Sequence, residues 1–60
     1  MVVYFWTEDD GWPHEPVLRR DLPQAPRAGD MILLPGRTEY ALVTRVHWDL
    51  EQGVVNVCFR

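Results

Sequence analysis

The ten residues "TEDDGWPHEP", positions 7 to 16, hold the densest group of side chains in this chain that could do chemistry. Glu8, Asp9, Asp10 and Glu15 are carboxylates, His14 is an imidazole, and Trp12 is a large aromatic set between Gly11 and Pro13. Carboxylates with one imidazole offer oxygen and nitrogen ligands, yet neither a zinc spacing nor a calcium-loop pattern is present. No metal and no cofactor is expected. Cys58 with His47 and His14 could in principle supply a nucleophile and a base. An isolated cysteine in a strand, however, reads more simply as a small filler. Serine and lysine are both absent, which removes the usual hydroxyl nucleophile and the Schiff-base amine. A chain of 60 residues also has little room for a pocket of about 300 Å³ or more beside its own core. The expectation is a chain that is not an enzyme.

The acidity is local. Residues 1 to 16 carry four acids and no base, whereas residues 17 to 60 carry all six arginines against Asp21, Asp30, Glu39, Asp49 and Glu51. The acidic segment is then either a solvated turn kept polar for solubility or a loop that meets a partner. Trp12 within it either folds back onto the core or stands exposed as an anchor. The net charge of −3 repels the phosphate backbone that supplies most non-specific nucleic-acid affinity. Arg45, Arg60 and Arg37 gathered on a sheet surface near His47 are the basis of an alternative, weak binding of single-stranded nucleic acid.

The elements that must position these groups are strands. Five prolines and four glycines interrupt the chain too often for a capped amphipathic helix to survive. In "YALVTRVHW" the even positions Tyr40, Leu42, Thr44, Val46 and Trp48 predict an inward face, with Ala41, Val43, Arg45 and His47 outward. In "VVNVCFR" the inward set is Val55, Val57 and Phe59. Opposed residues of an antiparallel pair share a face, so the buried sets coincide when Trp48 meets Val55, Val46 meets Val57 and Thr44 meets Phe59. That register sets His47 opposite Asn56 and Arg45 opposite Cys58 on the outer face. It leaves Leu50 to Gly53 as a four-residue loop, with Asp49 accepting a backbone N–H and Gly53 free to take a positive φ.

Upstream, Met31 to Leu34 is apolar on both faces, as expected of a central strand, with Ile32 and Leu34 turned to the core beside Leu42 and Tyr40. A three-stranded meander from about residue 30 to residue 60 follows. "VVYFWT" and "VLRRDL" add two more strands. Five short strands imply a curled sheet or small barrel, because a flat two-sided sheet would leave apolar faces and edges open. A single domain over residues 1–60 buries only about 60% of its unfolded surface, so self-association through an edge of the first or last strand is a natural supplement.

The order of strand, long acidic loop with a tryptophan, strand, "AGD" turn and meander resembles the Src-homology-type small barrel. "PRAGDMILLPG" with "YALVTRVHWDL" and "GVVNV" also resembles short bacterial proteins of no established activity. The resemblance implies a five-stranded antiparallel barrel or roll acting as a non-catalytic protein-interaction module. It further implies a contact set of Glu8, Asp9, Asp10 and Trp12, with Tyr4 and Trp6 as neighbours, that receives a basic segment of a partner. The chain lacks the paired tryptophans and the closing Pro-x-x-Tyr segment of polyproline binders. One cysteine and no apolar run near the roughly 20 residues of a membrane span lead to the expectation of a cytoplasmic setting away from the bilayer.

Overall fold

The computed structural model describes residues 1–8 and 15–60. Five strands appear in these residues: β1 Val2–Thr7, β2 Leu18–Asp21, β3 Met31–Ile32, β4 Ala41–Asp49 and β5 Val54–Phe59, with no helix among them. They form one sheet in the order β2-β1-β5-β4-β3, curled into a half-barrel.

The sheet is mixed, which corrects the purely antiparallel barrel. β1 runs parallel to β5 with Val3 beside Val55 and Phe5 beside Val57, while the other three pairings are antiparallel. Alternation of apolar residues fixes which face of a strand is buried but is indifferent to its direction. Insertion of β1 between β2 and β5 also makes the first and last strands interior, so neither is the edge available for self-association. The edges are β2 and β3, and β3 is therefore not the central strand that its apolar composition suggested.

The inner face holds the core. Val3 and Phe5 of β1, Ala41 and Val43 of β4, Val55, Val57 and Phe59 of β5, and Leu34 beyond β3 are all buried, and Leu18, Leu22, Ala25, Ile32 and Val46 pack against them. Each Val or Phe so enclosed contributes roughly 1.5–3 kcal/mol relative to exposure.

The β4–β5 hairpin keeps the expected register from Arg45 to Asp49, with Val46 on Val57, Trp48 on Val55, His47 on Asn56 and Arg45 on Cys58. Its loop is Leu50 to Gly53. The Asp49 carboxylate accepts the amides of Glu51 and Gln52 at 3.1 Å each, and Gly53 has φ of 70°. Beyond Arg45 the expectation fails. Val43, not Thr44, lies opposite Phe59, because a bulge at Thr44 inserts one unpaired residue. The bulge reverses parity, so Ala41 and Val43 turn inward while Tyr40 is exposed and Leu42 is only half-buried. The bulge lets Ala41 and Val43 at one end of β4 share the inner face with the half-buried Val46 at the other. Trp48 keeps its inward parity but is 58% exposed, because it sits where β4 runs past the core into an open depression lined by Met1, Ala25, Pro26 and Val46.

Candidate functional site

The outer face of the sheet gathers most of the chemistry-bearing side chains that the structure describes. Its rows follow from the registers: Trp6, Cys58 and Arg45 lie in one, and Tyr4, Asn56 and His47 in the next. The Trp6 indole N–H donates to Asn56 Oδ1 at 2.9 Å, which sets the ring across the β1–β5 junction. Tyr4 and Trp6 share a shallow depression of about 340 Å³ with Pro16, Asp49, Gln52, Val54 and Asn56.

Glu8 anchors the other end of this face. Just past β1, its amide donates to the Phe59 carbonyl at 2.9 Å. Its carboxylate accepts the Thr44 hydroxyl and pairs with the Arg45 guanidinium. The Thr44 hydroxyl, followed by Arg45, holds Glu8 below the ordinary carboxylate value of 4.5. The bulge makes this possible, because it brings Thr44 and Arg45 together opposite Cys58. The Thr44 hydroxyl oxygen also lies 3.2 Å from the Cys58 carbonyl oxygen. Glu8 is thus a strap from β1 to β4, and its carboxylate is engaged inside the molecule.

The expected contact set divides accordingly. Tyr4 and Trp6 share the outer-face depression, and Glu8 lies on the same face but is tied to Thr44 and Arg45. Asp9, Asp10 and Trp12 lie outside the described residues, as does His14. Cys58 corrects an expectation: it has the outward register position yet is fully buried, flanked by Trp6 and Arg45. Burial pushes its thiol up from 9.0, against the ease of deprotonation that a nucleophile needs. Only part of the expected arginine group forms: Arg45 lies one row from His47 and Arg60 is near enough to Glu8 to act on its carboxylate, but Arg37 lies elsewhere. Arg45 pairs with Glu8, and Arg37 lies over the Phe59 ring with its guanidinium carbon 5.2 Å from the centroid. Arg37 and Arg60 line a separate polar depression with Tyr40.

A surface that the sequence reading missed lies at the β3 end of the same face. Met31 pairs with Leu42 on the outer side of the β3–β4 ladder. Met31, Leu33 and Tyr40 are 57%, 52% and 63% exposed. Three large apolar side chains thus stand in water at this edge: Met31 in β3, Leu33 just past it and Tyr40 just before β4. The signal was present in "DMILLPG", whose double-sided apolarity was assigned to a central strand. No protein-family model, no curated protein and no solved structure matches this chain.

Proposed function

We propose that this chain is a non-catalytic protein-interaction module, a relative of the Src-homology-type small barrel at the level of its short strands and curled sheet, that adds an extended segment of a partner to its β3 edge. One observation carries the reading: an edge strand apolar on its exposed face beside Tyr40, where soluble sheets ordinarily place charge, proline or a covering loop. Strand addition uses main-chain hydrogen bonds for affinity and alternate side chains for specificity. Met31 and Leu33 are those alternate side chains here. We place the module in the cytoplasm, a setting supported by the free thiol of Cys58.

A second reading retains the acidic segment as a contact for a basic partner. The aromatic depression of Tyr4, Trp6 and Pro16 with Asp49 at its rim supports it, since such a surface receives a ring beside a cation. Affinity capture separates the two. Bait carrying Leu33→Lys should lose the partner with its melting temperature unchanged, and the amides of Met31 and Leu33 in the wild-type complex should gain protection from hydrogen exchange. If Trp12→Ala loses the partner instead while Leu33→Lys retains it, the strand-addition reading fails and the acidic-segment reading takes its place.

A further inference from the structure

We propose that the occupant of the β3 edge is a second copy of this chain, paired antiparallel over residues 30 to 34 about a twofold axis at Ile32; this rests on the reading of that edge as the working surface. The hydrogen-bond phase of β4 sets the geometry. Leu42 exchanges bonds with Arg60 on the β5 side, at 2.9 and 3.0 Å. Val43 turns the other way, donating to the Asp30 carbonyl at 2.9 Å and accepting the Gly29 amide at 2.8 Å. Alternation then directs Ala41 toward β3, where Ile32 is its partner. The backbone groups of Ile32 therefore face β4 and those of Met31 face outward from the sheet, and β3 prolonged by one residue would turn those of Leu33 outward as well.

Only outward-facing residues can form the hydrogen-bonded pairs of a new ladder, which restricts the register to steps of two. With the axis at Ile32, Met31 of each copy meets Leu33 of the other, and Ile32 meets its own equivalent. Shifting one way places Asp30 opposite Ile32. Shifting the other way places Pro35, which has no N–H, opposite Met31. In the register that remains, Asp30 falls at the end of the ladder, where it already accepts the Arg27 amide at 2.8 Å. Outer-face rows then run Leu42, Met31, Leu33 of the second copy, Tyr40 of the second copy, without a charge between them. Such cross-strand apolar rows are the unit of sheet stabilisation.

The opposite edge shows the contrast. In β2, Arg19, Arg20 and Asp21 are all exposed, and Arg20 holds the register position of the fully buried Val3. An inward-parity charge on an edge strand blocks pairing. Among the described residues, β2 carries such a charge and β3 carries none. The ladder is short, and it falls below the roughly 1,000 Å² that a stable interface buries, so association is weak and rises with concentration.

Cysteine substitution reads the register directly. Across a non-hydrogen-bonded antiparallel pair the Cα atoms lie about 4.5 Å apart, within the disulfide range of about 4.4–6.8 Å. Under mild oxidant Ile32→Cys should therefore link to itself about tenfold faster than Met31→Cys, whose equivalents are offset along the strand. An equimolar mixture of Met31→Cys and Leu33→Cys should cross-link to each other. Cys58 is buried and does not compete. In parallel, sedimentation of the wild-type chain should shift toward dimer with concentration, and Leu33→Lys should return it to monomer with its circular dichroism unchanged. A wild-type chain still monomeric at about 1 mM, or linking at position 31 as fast as at 32, overturns self-pairing. If the monomer nevertheless loses a captured partner on Leu33→Lys, the edge remains the working surface and only the second copy is excluded.

Discussion

Glu8 does two things at once, closing the end of β1 onto β5 through its amide and reaching β4 through its carboxylate. The carboxylate is held below its ordinary 4.5 by the Thr44 hydroxyl first and Arg45 second. In the unfolded chain Glu8 titrates near the ordinary value, so the folded state takes up its proton later on acidification. The pairing therefore stabilises the fold fully above about pH 4.5, and the contribution is lost as pH falls through the lowered folded value. Glu8→Gln should unfold at lower denaturant than wild type at pH 7, and the gap should close on acidification; a gap that persists unchanged in acid would show that the side chain acts by packing alone. Cys58 gives an independent probe of the same row. Buried and with its thiol pushed up by desolvation, it should react with a thiol reagent only through global opening. Its labelling rate should rise with denaturant in step with unfolding, and rapid labelling in buffer would contradict the burial.

The β4–β5 hairpin shows what a strand can encode and what it hides. Val46, Trp48, Val55 and Val57 alternate cleanly, so their register was legible, as was the Asp49 turn closed by Gly53. The Thr44 bulge was not, because threonine suits either face and "YALV" offers apolar residues at both parities. Only the competition between Ala41 with Val43 and Tyr40 with Leu42 for one core decides it, and that is a tertiary effect. Deleting Thr44 removes the extra residue and leaves an unbroken ladder in which Ala41, Val43 and Val46 all keep their inward parity, so the variant should retain its circular dichroism while losing the Thr44 hydroxyl's hold on Glu8. Thr44→Val keeps the residue count and should fold while releasing Glu8, with its carboxyl titrating nearer the ordinary value by NMR. In the loop, Gly53 has φ of 70° with open space where a Cβ would go. Gly53→Ala should therefore cost about 1–2 kcal/mol from backbone strain alone, measured as a shift in the denaturation midpoint at unchanged slope.

At the scale of the whole molecule, strand number and the three-stranded meander could be read from the chain, while the insertion of β1 and its parallel run beside β5 could not. Both depend on which strands meet across about fifty residues, and Val3, Phe5, Val55 and Val57 would bury equally well in either direction. The open half-barrel that results puts its core under β1, β5 and the near half of β4 and leaves the Trp48 end wet. That distribution makes an unequal prediction for two aromatic residues of the same inward parity. Phe59 is fully buried beneath the Arg37 guanidinium, and Phe59→Ala should cost about 3–5 kcal/mol. A domain of 60 residues has only about 3–9 kcal/mol in total, so the variant should lose a third or more of its stability and melt far below wild type. Trp48, more than half in water, should lose under about 1 kcal/mol on replacement by alanine. Thermal melts followed by far-ultraviolet circular dichroism compare the two without relying on Trp48 fluorescence. If Trp48→Ala proves as damaging as Phe59→Ala, the half-barrel closes over the Trp48 end in solution, and the arrangement of core and open face given above is wrong.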